Sequence, residues 1–168
     1  MNQKTFDVIV AGGGTAGAIA GLAAARNGAR TLIVEKNRCL GGQFTAGMMG
    51  AWVGFSDKLH RCVGGIAWEL RNILNELGAV VDEDPETDVC YLYDTEVAKV
   101  VLADLAAREP NLTTYLNTQI VDVLQVGDTL SGLVILSEME LMEVRAEMIV
   151  DCTGDAAVAA KAGVPCEI

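Results

Sequence analysis

A single histidine, His60, stands in the whole chain of 168 residues. A His-rich metal site, or a mechanism passing a proton between two histidines, is therefore excluded within it. Basic residues are few, 12 Lys and Arg against 23 Asp and Glu, for a formal charge of −11. That balance argues against a nucleic-acid partner, because nothing would neutralise its backbone phosphates. The five cysteines, Cys39, Cys62, Cys90, Cys152 and Cys166, are odd in number and never form CxxC. They read as reduced thiols of a cytoplasmic protein, not as a disulfide scaffold or a zinc site. A secretory leader pattern is lacking too: "MNQKTFDVIV" runs straight into a strand pattern. With 51% hydrophobic residues, a chain of this length suits one domain with a substantial core.

Charge is also missing from Val8 to Ala25, within "DVIVAGGGTAGAIAGLAAARNGARTLIVEK". A run of eighteen uncharged residues reaches the lower limit for a membrane span. Gly12, Gly13, Gly14 and Gly17 exclude it, since each glycine costs about 1 kcal/mol relative to alanine inside a helix. Before them, "FDVIVA" carries the β-branched residues of a buried strand; after them comes an alanine-rich helix that Asn27-Gly28 stops. "ARTLIVEK" then supplies a second strand. The segment is predicted as strand, glycine turn, helix, turn, strand, with no membrane span.

Within it, Gly12, Gly14 and Gly17 form GxGxxG between strand and helix. Gly12 permits the tight turn, Gly14 lets the backbone approach a pyrophosphate, and Gly17 lets the helix pack close to the sheet. Thr15 and Ala16 open that helix, whose unpaired N–H groups and positive dipole end favour phosphate. Glu35 ends the second strand, with Lys36 beside it. A carboxylate there accepts hydrogen bonds from both ribose hydroxyls of an adenosine and repels a 2′-phosphate, which argues against NADP.

The next stretch, "EKNRCLGGQFTAGMMG", bears on NAD against FAD. A second glycine-rich loop at Gly41-Gly42 points to a ligand that continues past the pyrophosphate. Phe44, Met48, Met49, Trp52 and Phe55 are too apolar for a freely solvated loop. With "RCLGGQFTAGMMG" and the later "AEMIVDCTGDAAVAAKAGVPCE", the chain resembles the FAD-dependent oxidoreductases of the glutathione-reductase-like superfamily, related to fumarate reductase flavoproteins. The resemblance covers nearly the whole chain. It implies that Gly12, Gly14 and Gly17 hold the pyrophosphate, that Glu35 binds the adenosine ribose, and that Arg38, Gly42 and Gln43 line the path toward the flavin. A backbone amide near the end of the third strand, at Val121, would face the adenine. Gly154, in the TGD turn after Cys152, would let the chain pass near the cofactor. Relatives with covalent flavin carry a histidine in the second loop; none is present here, so noncovalent FAD is expected.

The rest of the chain is read more plainly. Residues 64–78 place Ile66, Leu70, Ile73, Leu74 and Leu77 at helical spacing, as a packed amphipathic helix. Residues 82–88 form an acidic loop without the ligand spacing of a calcium site. "VCYLYDTEVAKVVLADLAAREP" gives a short strand and then a helix capped by Asp94. "NLTTYLNTQIVDVLQV" supplies a third parallel strand passing into a meander; two more meander strands follow, and then the strand bearing the closing motif. There Asp155 is expected to cap a helix, with Cys152 a small core residue and His60 on the surface.

The expected fold is therefore α/β: a Rossmann-like parallel sheet with helices on its faces and a small antiparallel β-meander, over residues 1–168. Members of the resembled family continue into a substrate-capping domain and a final Gly-Asp segment, and this chain is expected to lack both. No catalytic acid, base or hydride-positioning group can be named, and a fragment or a split subunit is expected over a complete enzyme. The expected function is the FAD-binding part of an oxidoreductase moving hydride between a small organic substrate and FAD, completed by another subunit or a second copy. Two alternatives stay open: an NAD-binding dehydrogenase domain, and a non-catalytic subunit acting through protein contacts.

Overall fold

The structure is a computed structural model that describes residues 3–81 and 89–166; the acidic loop at 82–88 lies outside them. Strand β1 (Gln3–Ala11) leads through the glycine turn into helix α1 (Thr15–Arg26) and strand β2 (Thr31–Val34). Asn27 caps α1 and Gly28 turns the chain back at φ +91°, so the expected stop signal holds. The short strand β3 (Ala51–Val53), helix α2 (Gly65–Glu76) and strands β4 (Val80–Val81) and β5 (Cys90–Tyr93) follow. Helix α3 (Thr95–Arg108) starts at Asp94, whose carboxylate accepts from the amides of Glu96 and Val97. Strands β6 (Leu112–Tyr115), β7 (Gln119–Val126), β8 (Thr129–Ser137) and β9 (Glu140–Asp151) and helix α4 (Ala157–Lys161) complete the described elements.

Six strands form one sheet in the order β6-β2-β1-β9-β8-β7. The four from β6 to β9 are mutually parallel, while β8 and β7 attach antiparallel as a meander. One expectation is corrected. The third meander strand and the strand bearing the closing motif are one element: β9 pairs antiparallel with β8 over Glu140–Arg145 and parallel with β1 up to Asp151. No glycine, proline or asparagine interrupts residues 140–151 to break it. The sequence reading also left out a second sheet, β3-β5-β4, whose outer strands are only three and two residues long.

Successive side chains of β1 and β2 point to opposite faces, as pleating requires. Val10 and Ile33 join Ala18, Leu22, Phe44, Leu70, Leu74 and Leu102 under α1, α2 and α3. Ile9, Ala11, Leu32 and Val34 face the other way, against Leu133, Ile135 and Val144 of the meander and Val158 of α4. Leu77, the last apolar position predicted for α2, is exposed, beyond the helix end. The apolar residues after the second glycine loop divide: Phe44 and Phe55 are buried, but Met48 is 72% and Met49 57% exposed. Among the described residues no helix is long and apolar enough to cross a membrane.

Candidate cofactor site

The loops leaving the carboxyl ends of β1, β2 and β9 converge, because β1 lies between the other two with Ala11 opposite both Val34 and Asp151. They enclose an open cleft of about 770 Å³. That size falls in the range of small-molecule sites, and the edge is where open α/β sheets bind ligands.

The glycines divide the work. Gly12 sits at φ +93°, and a Cβ there would come within 2.5 Å of the Cys152 carbonyl oxygen. A side chain at Gly17 would meet the Gly12 carbonyl oxygen at 1.8 Å, so this residue lets α1 lie against the turn. Gly14 differs from both. Its φ is −62°, open to any residue, and an added Cβ would meet nothing within 4 Å. Nothing in the fold requires glycine there, yet the residue lines the cleft. A glycine at this point leaves the main chain open to close approach from the cleft.

Around Gly14 the donors are suited to an anion. Ala18 is the first amide of α1 to make a helical bond, to Gly14 O, leaving those of Thr15, Ala16 and Gly17 ahead of the ladder. No side chain caps this end and its first turn holds no acidic residue. The residues present thus fit a diphosphate at the α1 N-terminus.

Glu35 is buried and lines the cleft, but its carboxylate is already engaged. Oε2 accepts from the Gly13 amide at 2.7 Å and Oε1 from the Asn37 amide at 2.8 Å. Each carboxylate oxygen has a second lone pair, so a ribose hydroxyl can still be accepted. Glu35 therefore also braces the first glycine loop from β2.

The second glycine loop has a local cause that its sequence did not reveal. Gly41 donates its amide to Gly13 O, and the Thr15 hydroxyl donates to Gly41 O. Gly41 and Gly42 both have positive φ, and a Cβ on Gly42 would come within 2.9 Å of Gly14 Cα. Packing of loop on loop thus requires this pair, whatever the ligand.

Most other expected residues converge here. Gly12, Gly14, Thr15, Ala16, Glu35, Lys36, Gly42, Gln43 and Gly154 line the cleft; Gly17 lies behind the turn. Arg38 is exposed and outside the lining. Val121 is likewise outside the lining. Thr118, Gln119 and Ile120 form that wall, and Val121 falls one residue beyond, where the pairing with β8 shifts register. Sequence reasoning missed these three residues because the turn from β6 into β7 carries no glycine signal. At the closing motif, Asp151 caps α4 in place of Asp155. Its Oδ2 accepts from the Val158 and Ala159 amides and its Oδ1 from the Thr153 amide and hydroxyl. Ala156 takes a left-handed conformation and turns the helix entry away from Asp155, which lines the cleft. Burial pushes the Cys152 thiol up, with the Asp151 carboxylate adding to it, as for an unreactive wall residue. His60 is on the surface, paired with Asp57 at 3.5 Å.

Fold and cleft together define a Rossmann-like α/β domain of the nucleotide-binding kind. The chain belongs to the FAD dependent oxidoreductase family, whose sequence model matches residues 7–168. Among curated proteins it is 27% identical over 171 residues to the digeranylgeranylglycerophospholipid reductase of Picrophilus torridus, covering 90% of this chain and 40% of that protein. A geranylgeranyl bacteriochlorophyll reductase-like protein from Thermoplasma acidophilum superposes with a TM-score of 0.72 at 22% identity, over 99% of this chain and 44% of its own. The quinol fumarate reductase of E. coli shares the fold at a TM-score of 0.61 and 15% identity, over 93% of this chain and 34% of its own. The chain thus spans about two fifths of the length of the curated reductase it matches.

Proposed function

We propose that this chain is the FAD-binding portion of a flavin-dependent oxidoreductase that moves hydride between a small organic substrate and FAD. The observation that carries the reading is Gly14, a glycine the fold does not need, at an uncapped helix N-terminus inside the cleft. The amides of Gly14, Thr15 and Ala16 would hold the diphosphate, Glu35 the ribose, and the backbone of residues 118–120 the adenine. Gln43, Ala46 and Gly47 would flank the flavin end. Bound there noncovalently, FAD supplies the hydride chemistry; the chain orients it and keeps phosphate charge on main-chain donors. Substrate contacts and proton-transfer groups are assigned to further polypeptide or a second copy, which closes the open side of the cleft.

The test is titration of the purified chain with FAD and, in parallel, NADH, followed by the visible spectrum and calorimetry. Saturable binding of FAD with a perturbed flavin spectrum is expected, and much weaker binding of NADH. Absence of FAD binding by the chain alone and with a complementing subunit would refute the proposal.

A further inference from the structure

Tyr93 lies outside the cleft, yet one wall of the cleft hangs from it. It ends β5 and is buried, and its phenol O–H faces the carbonyl oxygens of Phe44 at 3.0 Å and Met49 at 2.5 Å. Between those two carbonyls the chain makes the turn whose Ala46 and Gly47 line the cleft; Gly42 and Gln43, just before it, line it too. The bonds made by the amides of Phe44, Thr45, Gly47, Met48 and Met49 all stay within residues 41–49, and the Thr45 hydroxyl reaches back to Leu40 O and the Cys39 thiol. At the near end the loop is tied to the first glycine turn through Gly41. At the far end Tyr93 ties it twice: its amide donates to the Gly50 carbonyl at 3.0 Å, where β3 begins to pair with β5, and its hydroxyl reaches back to Phe44 and Met49 inside the loop. Its ring also packs on Phe44 at 4.5 Å and on Trp52 at 5.3 Å, which fixes the direction of the hydroxyl. Burial pushes the phenol up to about 12, so at neutral pH it remains a donor.

We propose that Tyr93 is a positioning residue for the cofactor: its hydroxyl holds the 42–49 loop against the flavin end of the cleft without touching the ligand. The inference rests on FAD being the occupant, and it extends that reading to a residue no glycine motif marks. Two effects can be separated, because phenylalanine keeps the ring stacking and removes only the donor. Loss of the donor leaves the buried Phe44 carbonyl without this partner and frees the loop to shift.

The experiment compares the wild-type chain and Tyr93→Phe with two ligands, FAD and ADP, the latter lacking the flavin. Tyr93→Phe is expected to weaken FAD roughly five- to thirtyfold and to alter the bound flavin spectrum, while ADP affinity stays within about twofold. Unchanged FAD affinity and spectrum in a folded Tyr93→Phe chain would overturn the proposal, as would equal losses for FAD and ADP. If the wild-type chain binds ADP but not FAD, or neither, both alone and with a complementing subunit, the reading of the occupant itself fails, which is a different result. Amide exchange on the wild-type chain gives a check that needs no variant. The hydrogen-bonded amides of Phe44, Thr45, Gly47, Met48 and Met49 are expected to exchange no faster than those of β5, and rapid local exchange there would equally overturn the anchoring role.

Discussion

A methyl group placed at Gly17 would come within 1.8 Å of the Gly12 carbonyl oxygen, whereas one at Gly14 meets nothing within 4 Å. Gly17→Ala should therefore destabilise the chain by about 1–3 kcal/mol through forced separation of α1 from the turn. Gly14→Ala should stay within about 1 kcal/mol of wild type, the difference between glycine and alanine at a helix N-cap, yet lose most of its FAD affinity. Urea unfolding and FAD titration of both variants check the pair. A Gly14→Ala chain binding FAD like wild type would remove the main support for the cleft as the site. Glu35 carries a second prediction of this kind. A glutamine offers one acceptor where two amides are held, so Glu35→Gln should cost about 1–3 kcal/mol of stability in addition to weakening nucleotide binding. The spacing of glycines and acid was legible from the residues alone, because GxGxxG is a local pattern with a local cause. What the Glu35 oxygens do in the folded chain was not, since Gly13 meets them only across a helix and a strand.

Among the elements, α4 illustrates how a boundary misleads. Glycine followed by an acid invites a cap at Asp155, but the hydrogen bonds go to Asp151, seven residues before the Val158 amide it accepts from. Burial works to raise the Asp151 carboxyl, but the Ala159 amide, the Thr153 hydroxyl and the amides of Thr153 and Val158 together hold it below the usual carboxylate range. Asp151→Ala should cost about 0.5–2 kcal/mol, the usual value of a cap. A lowered folded-state pKa means that this contribution is fully present above the unfolded value near 3.9 and disappears as pH falls through the lower, folded one. The stability gap between wild type and Asp151→Ala should accordingly be flat from pH 7 to about 5 and close below about 4. A gap that widened in acid would contradict the assignment. Arg26 ties three elements in a different way. It meets Glu69 of α2 at 2.5 Å and Glu109, just past α3, at 2.6 Å. Arg26→Met should lose about 1 kcal/mol, less at high salt, because the network is partly exposed. Long elements were legible from local signals: β1 from its β-branched residues, α1 from its alanines and the Asn27-Gly28 stop, α2 from helical spacing and α3 from its Asp94 cap. The sheet of β3, β4 and β5 was not: β5 reads as a short strand, but its partners of three and two residues show no alternation and exist only through their pairing.

Across the whole molecule, the cleft edge is where both cores end, one under the three helices and one under the meander. A ligand bound there touches loops from β1, β2 and β9, and thus the parallel strands at the centre of the sheet. Binding that favours the folded state alone should raise its stability by mass action, by about 2.7 kcal/mol at a ligand concentration one hundred times Kd. For a domain of this size each kcal/mol moves Tm by roughly 2–4 °C, so FAD at that concentration should raise Tm by about 5–11 °C. NADH at the same concentration should give a much smaller rise, because its nicotinamide end would leave the 42–47 wall with less to contact. The shift should also be lost in Gly14→Ala, whose own fold is expected to stay intact. Scanning calorimetry of the two chains with each ligand therefore tests the site as a property of the whole domain: stabilisation by FAD that persists unchanged in Gly14→Ala would place the ligand elsewhere.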